Sequence, residues 1–502
     1  MNPLKKLLGQ TAIYGLSSIL GRFLNYLMVP LHTQMFAPQA YGDISIFYAY
    51  VSFLMILLTY GMETAYFRFS EKEDPQKTYS TAAISLTITS FTFFFLFFIF
   101  ASPLSSFIGY PQHPEYIRWF ALILSADALS AIPFGKLRRE NKAKKFALLK
   151  LSNILIYIVF NLFFLLICPY LYKNGNTWVT FIYDGNLDVK YVFIANGLAS
   201  FFTLVLLIPE LSQMRTGFDP KLWKQLISYS LPLLFAGLAG MINETLDRIL
   251  LQYLITVPAK ARDAQDYIRV QIGIYGANYK VSILMTLFIQ TFRYAAEPFF
   301  FNQSKEKNSK EVFAITTQYF IQFCFVIFLG IMAWIDVIKF FVAKSYFSGL
   351  KIVPILLLAN ICLGVVFNLS LWYKLTNKTK YGVYIAVIGA VTTLVFNVLL
   401  IPSMGYKGAA WTTLICYFVM MVVSYLWGQK HYPTVYPLKR IFITFLAAMV
   451  LFLLMKYAHF SNLALRLSFN TLLFGIFVVI LFFLERKNYH KIKGIFTSPN
   501  VN

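Results

Sequence analysis

Charged side chains are scarce in this chain of 502 residues: Asp, Glu, Lys and Arg together make up 13% of it, and only 21 residues are acidic. A soluble domain carries about 25% charged residues, so this composition excludes a soluble domain of any size. Hydrophobic residues reach 58% and aromatic residues 18%. We therefore predict a membrane protein.

Several residue patterns that carry chemistry are also missing. The four cysteines form no C-x-x-C pair and all fall in apolar stretches, so packing is the expected role of Cys168, Cys324, Cys362 and Cys416. The five histidines form no H-E-x-x-H motif, and the chain has no nucleophile elbow and no Walker motif. We expect neither an enzyme nor a bound cofactor or metal, and no use of ATP.

Long apolar runs fill most of the chain. A helix needs about 20 apolar residues to cross roughly 30 Å of hydrocarbon, and runs of this length recur throughout. The first run continues past Arg22 without a cleavage site, so we interpret it as a span and not as a signal peptide. The prediction is an all-α polytopic protein with fourteen transmembrane helices, numbered 1 to 14, at residues 9–36, 43–69, 80–103, 115–136, 147–171, 191–213, 226–255, 272–301, 312–335, 350–373, 382–402, 408–428, 440–459 and 465–485.

The net charge of +23 is distributed unevenly between the two predicted sides of the membrane. With a cytoplasmic N-terminus, 27 of the 44 Lys and Arg residues fall in inner loops or tails and 9 in outer loops. This is the positive-inside pattern, and it places both termini in the cytoplasm. The basicity is then a topology signal, which disfavours a nucleic acid partner.

The chain contains an internal repeat with an offset of about 235 residues. At an offset of 236, Phe160-Asn161 aligns with Phe396-Asn397, and at 234 Glu63 aligns with Glu297. Six helices per copy is an even number, so the two copies enter the membrane in the same direction. We predict an N-lobe at 1–213 with helices 1–6, a C-lobe at 214–428 with helices 7–12, and an addition at 429–502 with helices 13 and 14 and a cytoplasmic tail.

Polar residues follow one face of several predicted helices. Lipid cannot solvate such faces, so we predict that they line a water-filled cavity between the lobes. The polar stripes are Thr11, Tyr14, Ser18, Arg22 and Asn25 in helix 1; Tyr48, Ser52, Thr59 and Glu63 in helix 2; Gly237, Gly240, Glu244 and Asp247 with Arg248 in helix 7; and Asn278, Ser282, Thr286, Gln290, Arg293 and Glu297 in helix 8.

The charged members of these stripes suggest two kinds of site. Inserting one charged residue at the centre of a bilayer costs roughly 2.5 to 3.5 kcal/mol, so each of these residues is expected to have a partner or a function that offsets this cost. Guanidinium groups bind phosphate bidentately, which makes Arg22, Arg293 and Arg248 candidates for an anion site. Carboxylates exchange protons or hold a cation, and the candidates for ion coupling are Glu63, Glu244, Asp247, Glu297 and Asp127.

A structural role is the alternative for some of these residues. Glu244 with Arg248, and Arg293 with Glu297, have the i, i+4 spacing of neutralising pairs that hold helices together. Asp127 could equally form a hydrogen bond in helix packing. Arg22 has no acidic residue within one helical turn, so a ligand or a distant helix must satisfy it.

Five stretches in the expected order resemble a known family: TAIYGLSSILGRFLNYLMVPLHTQMFAPQAYG, LRRENKAKKFALL, ETLDRILL, IGIYGANYK and LIPSMGYKGAAWTT. They are similar to the polysaccharide flippases that move lipid-linked oligosaccharides, within the multidrug, oligosaccharidyl-lipid and polysaccharide exporter group. The resemblance covers nearly the whole chain.

The resemblance implies two six-helix lobes around a cationic cavity in the bacterial inner membrane. The implied partners are membrane lipids and an undecaprenyl-pyrophosphate oligosaccharide, which crosses to the periplasmic leaflet by alternating access, with H+ or Na+ as candidate coupling ions. Arg22 and Arg293 match the family's pyrophosphate-binding arginines, whereas helix 2 has Thr59 in place of a basic residue. A lipid II flippase, or a drug or cation antiporter of the same fold, is the alternative.

Overall fold

A computed structural model describes residue 15 and residues 19–214, 217–304, 306, 308–458 and 460–486, with the side chains of residues 298 and 302 left out. The described residues form helices and connecting segments, with no β-strand among them. The first half of the chain, after helical residues 19–26, contains α1 Met28–Met35, α2 Pro38–Thr59, α3 Met62–Phe69, α4 Pro75–Ile99, α5 Ala101–Phe107, α6 Pro114–Arg139, α7 Ala143–Leu162, a π-helix Phe163–Ile167, α8 Cys168–Lys173, a 3-10 helix Thr177–Phe181, α9 Lys190–Leu206, α10 Ile208–Leu211 and α11 Pro220–Leu254.

The second half continues in the same way. It contains α12 Ala264–Val281, α13 Ile283–Gln303, α14 Ser309–Ala333, α15 Ile335–Ile338, 3-10 helices at Lys339–Phe341 and Lys344–Ile352, α16 Val353–Leu369, α17 Leu371–Leu375, α18 Lys380–Met404, α19 Tyr406–His431, α20 Leu438–Tyr457 and α21 Leu463–Arg486.

Eleven helical segments among the described residues are long and apolar enough to cross a bilayer, and α12 with α13 makes a twelfth as one span bent by 45°. The sixth predicted span is α9, an apolar helix of 17 residues, and the first lies only partly within the described residues. An all-α polytopic membrane protein is therefore confirmed, while the number of fourteen spans stays a prediction.

Local sequence explains where the helices begin and break. Asp74 caps α4, because its carboxylate accepts hydrogen bonds from the backbone N–H groups of Gln76 and Lys77 at 2.7 and 2.8 Å. Predicted helix 2 is broken into α2 and α3 at Tyr60 and Gly61, which both have left-handed backbone angles, with φ of 35° and 71°. The polar stripe of helix 2 is therefore interrupted between Thr59 and Glu63.

The chain divides into two compact units, residues 1–253 with 257–273, and residues 254–256 with 274–502. The first unit has an aromatic core in which the Phe47 ring stacks on Phe120 at 5.2 Å and meets the Tyr116 ring edge-on at 5.5 Å. Such pairs add about 0.5 to 1.5 kcal/mol each beyond burial. In the second unit, Cys416 and Tyr417 of α19 pack in a buried cluster.

The compact units and the predicted lobes divide the chain at different places. Helix α11 belongs to the first unit, where Leu222 and Leu226 share a buried cluster with Tyr66 and Tyr79. Division by packing does not test division by sequence repeat, so the lobe boundaries stay a prediction.

All four cysteines are free thiols.

Candidate functional site

Arg22 lies on the helical stretch 19–26 and is exposed. Its side chain forms no hydrogen bond or ion pair with any residue in the described part of the chain. The helix is held close to α7, because a Cβ added at the neighbouring Gly21 would lie 2.6 Å from Cδ1 of Ile154. Asn25 on the same stretch is also exposed. The rest of the stripe, Thr11, Tyr14 and Ser18, lies outside the described residues.

Arg248 of α11 interacts with groups of its own helix. Its guanidinium donates to the backbone carbonyl of Glu244 at 3.0 Å and lies 3.5 Å from the carboxylate of Asp247, which also accepts from the Arg248 backbone N–H at 2.8 Å. The side chains of Arg248 and Asp247 are only 13% and 7% exposed, whereas Glu244 is exposed. Arg248 is therefore more committed to protein groups than Arg22.

In the second unit, Glu297 lies between two cations. Its carboxylate is 2.5 Å from the ammonium of Lys374 and 3.8 Å from the guanidinium of Arg293. Arg293 also stacks over the ring of Phe367 at 4.8 Å and remains 43% exposed. These residues line a cavity of about 20 Å³, enough for roughly one water molecule. Lys374 is the closer counter-ion, so Arg293 keeps donors for a ligand.

The first unit contains the equivalent ion pair. Glu63 accepts a hydrogen bond from the guanidinium of Arg138. Glu63 and Glu297 are related by the repeat offset of 234, and Arg138 and Lys374 by the offset of 236. The two ion pairs therefore fall at nearly corresponding positions of the predicted repeat, each with one carboxylate and one cation. In sequence Arg138 and Lys374 looked like topology residues only, because their partners are 75 and 77 positions away.

Asp127 of α6 is accompanied by a cation that the sequence analysis did not single out. Its carboxylate interacts with the buried hydroxyl of Ser200 on α9 and with the charge of Lys150 on α7. Lys150 is exposed, and its ammonium lies 4.1 Å from the ring centre of Phe134. The signal in the sequence that could have identified Lys150 is its position as the single charged residue in the apolar run LLKLSNILIY.

Neighbouring polar groups of the first unit form their own hydrogen bonds. Asn196 donates to the hydroxyl of Tyr48 at 2.8 Å, and His32 and Asn161 are joined at 2.8 Å in the interior. Ser52 and Thr59 are partly buried and donate to backbone carbonyls four residues earlier. These hydroxyls are satisfied within their own helix.

Two residues of the helix 8 stripe differ from the prediction. Asn278 and Ser282 are fully buried and do not line an open cavity. Asn278 donates to the backbone carbonyl of Tyr346 at 2.9 Å, and the helix bends at Ser282, which takes this end of the stripe into the packing of the second unit. Thr286 and Gln290, on α13, are partly exposed.

Apolar spans that carry guanidinium, ammonium and carboxylate groups define a polytopic membrane protein with candidate ligand or ion sites. The chain belongs to the polysaccharide biosynthesis protein family, whose model matches residues 7–304. It is 23% identical to an uncharacterized membrane protein of Methanocaldococcus jannaschii over 91% of this chain and 92% of that protein.

Solved structures share the fold. The lipid II flippase MurJ in an inward closed conformation matches with a TM-score of 0.66 and 14% identity, over 95% of this chain and 99% of that one. An inward-facing multidrug resistance MATE family transporter of the MOP superfamily matches with a TM-score of 0.58 and 15% identity, over 84% of this chain and 94% of that one. The family and the fold are those expected from sequence, and the matched solved structures are a flippase and a transporter.

Proposed function

We propose that this protein is a flippase that moves an undecaprenyl-pyrophosphate-linked oligosaccharide from the cytoplasmic to the periplasmic leaflet of a bacterial inner membrane. The observation that carries the proposal is the Arg22 guanidinium, which has no partner among the described residues of a chain from the polysaccharide biosynthesis family. An exposed intramembrane guanidinium without a described protein partner is available to an anion, and a pyrophosphate supplies one.

Arg22 and Arg293 are the proposed pyrophosphate ligands, with Arg248 as a third candidate. A charge-assisted hydrogen bond contributes about 1.5 to 3 kcal/mol, so one bidentate arginine accounts for a large part of headgroup affinity. Asn25, Thr286 and Gln290 are the uncharged polar residues with surface left for the sugars. The polyprenyl chain stays in lipid or along α20 and α21.

Contacts of the first unit suggest how access alternates. At the predicted inner end, Lys77 and Asp219 form an ion pair at 2.5 Å. At the predicted outer end, Arg269 lies 3.4 Å from Asp43, and Gly273 approaches Pro38 so closely that a Cβ would be 1.8 Å from its carbonyl oxygen. We propose that the transport cycle breaks one set of contacts at a time.

Ion coupling is part of the same proposal. The carboxylates Glu63, Asp127 and Glu297 each face a cation, so binding of H+ or Na+ would change which partner holds that cation. Glu244 and Asp247 of α11 are further candidates.

The test is export of the glycan in cells that lack the native gene and carry variants. Arg22→Ala and Arg293→Ala should abolish export at normal protein levels, with accumulation of lipid-linked oligosaccharide on the inner leaflet. The matched control is Arg118→Ala, because Arg118 is an exposed arginine of α6 that lies over the Phe98 ring, away from the candidate residues. Full export by both site variants would remove the site assignment.

Lipid II is the second candidate substrate, because MurJ is matched over 95% of this chain. The two candidates separate by complementation: a lipid II flippase would restore growth to cells depleted of their own lipid II flippase. A drug or cation antiporter of this fold would bind cationic dyes, and loss of Glu244 or Asp247, not of Arg22, would abolish that binding.

A further inference from the structure

A second group of cations lies in the second unit at the predicted outer end of the helices. It lies where α14 and α20 end and α21 begins, around a cavity of about 640 Å³, a volume within the range of small-molecule sites. We name it the outer cationic pocket, and its polar lining residues are Asp336, Lys339, Lys351, Lys456, Arg466 and Asn470.

The pocket contains four cations and one carboxylate. One carboxylate oxygen of Asp336 lies 2.9 Å from the Lys339 ammonium, and the other lies 2.7 Å from the Arg466 guanidinium. Both oxygens therefore already have a cation. Lys351 and Lys456 are exposed and form no ion pair within the described part of the chain. The pocket therefore has a net charge of +3, and two of its four cations have no carboxylate partner among the described residues.

Two polar atoms of the pocket are also unsatisfied. Nε of Arg466 and Oδ1 of Asn470 are buried and have no hydrogen-bond partner among the described residues. The Nη2 atom of Arg466 lies 2.7 Å from the Asp336 carboxylate, and this ion pair fixes the orientation of the guanidinium. A buried N–H without an acceptor costs about 1 to 3 kcal/mol, which an anionic oxygen would recover.

Membrane topology does not explain these cations. Basic residues on the outer side oppose the positive-inside rule, and only 9 of 44 lie in predicted outer loops. Two of those nine, Lys339 and Arg466, line this pocket, and Lys351 and Lys456 join them from helix ends. A ligand that needs positive charge is the remaining reason to concentrate them.

We propose that the outer cationic pocket binds the phosphate group of an anionic phospholipid in the outer leaflet. Lysine ammonium groups serve as point charges for phosphate, and Arg466 adds a fixed donor. The pocket also has apolar walls, including Phe452 and Met455, which suit the glycerol and upper acyl region of a lipid better than a free ion. The site is independent of Arg22 and Arg293 and does not rest on the proposed substrate.

Native mass spectrometry of the purified protein in neutral detergent tests the proposal. The probes are a phosphatidylglycerol, the phosphatidylcholine with the same acyl chains, and inorganic pyrophosphate. We expect saturable retention of phosphatidylglycerol, and an apparent Kd raised at least tenfold in the double variant Lys351→Gln/Lys456→Gln. Lys344→Gln is the matched control, since Lys344 is exposed on the same connecting segment but outside the pocket.

Each other outcome argues against the proposal. Equal retention by wild type and double variant, or an equal loss in the Lys344 control, would show that the pocket does not bind the lipid. Binding of pyrophosphate without the lipid would make a soluble anion the ligand. Both lysines are exposed, so the double variant should fold, and its thermal midpoint is the check on that.

Discussion

The ion pair between Glu297 and Lys374 gives a prediction that separates a binding role from a structural one. Replacing Lys374 by Met removes the ammonium that lies 2.5 Å from Glu297, and leaves the carboxylate with Arg293 at 3.8 Å as its remaining cation. Glu297 should then hold Arg293 more firmly and weaken its interaction with a pyrophosphate.

The magnitude follows from exposure. The side chains of Arg293 and Glu297 are 43% and 35% exposed, so water screens their attraction strongly. Pairs of this kind contribute about 0.2 to 1 kcal/mol, which corresponds to a loss of roughly 1.4- to 5-fold in substrate affinity. The second change Glu297→Gln removes the competing charge, so the double variant Lys374→Met/Glu297→Gln should recover that loss.

The assay is a binding titration of a fluorescent lipid-linked pyrophosphate to each purified variant, which reports affinity and not the ion coupling proposed for Glu297. Arg138→Met is the control, because it disturbs the ion pair with Glu63 in the first unit without touching Arg293. If the double variant is as impaired as Lys374→Met alone, Glu297 does not compete for Arg293 and the cation is needed for packing.

Two further predictions concern the ends of the first unit. Gly273→Ala places a methyl group about 1.8 Å from the Pro38 carbonyl oxygen and should lower the free energy of unfolding by about 1 to 3 kcal/mol, measured as a lower thermal midpoint. Gly475→Ala is the control, because its methyl group meets open space and should leave the midpoint unchanged. Equal midpoints for the two variants would refute the close approach. Hydrogen bonds from Lys77 and from backbone N–H groups lower the pKa of Asp219 to about 2. The ionised carboxylate therefore stabilises the fold fully at pH values above the ordinary aspartate pKa of about 4, and this contribution is lost as the pH falls through about 2. Asp219→Asn should therefore lower the midpoint equally at pH 5 and pH 8, and a difference between these two values would contradict the assignment.

The helices could be predicted closely from sequence, whereas their interruptions could not. Every predicted span has a helix wherever the structure describes it, because apolar length is a property of a continuous segment. The break at Tyr60 and Gly61 follows from a close contact: a Cβ at Gly61 would lie 3.1 Å from the carbonyl oxygen of Ser230. No local pattern encodes a neighbour 169 positions away.

The candidate site was predictable in composition but not in pairing. Spacing along a helix predicted Arg293 with Glu297, and the two are 3.8 Å apart, yet Lys374 is the nearer partner. Spacing also placed Asn278 on a cavity surface, whereas the bend at Ser282 takes it into the interior. Helical periodicity describes one helix at a time, so it does not report which faces other helices cover.

By itself the sequence determined the membrane class and the positions of the apolar helices, because in hydrocarbon a backbone must satisfy its hydrogen bonds within each segment. Tertiary structure alone decided which intramembrane charges are paired. Glu63 meets Arg138 and Glu297 meets Lys374 across 75 and 77 residues, while Arg22 meets no described partner. Ion pairs depend on separations of a few ångströms, and those are set by helix packing, not by order along the chain.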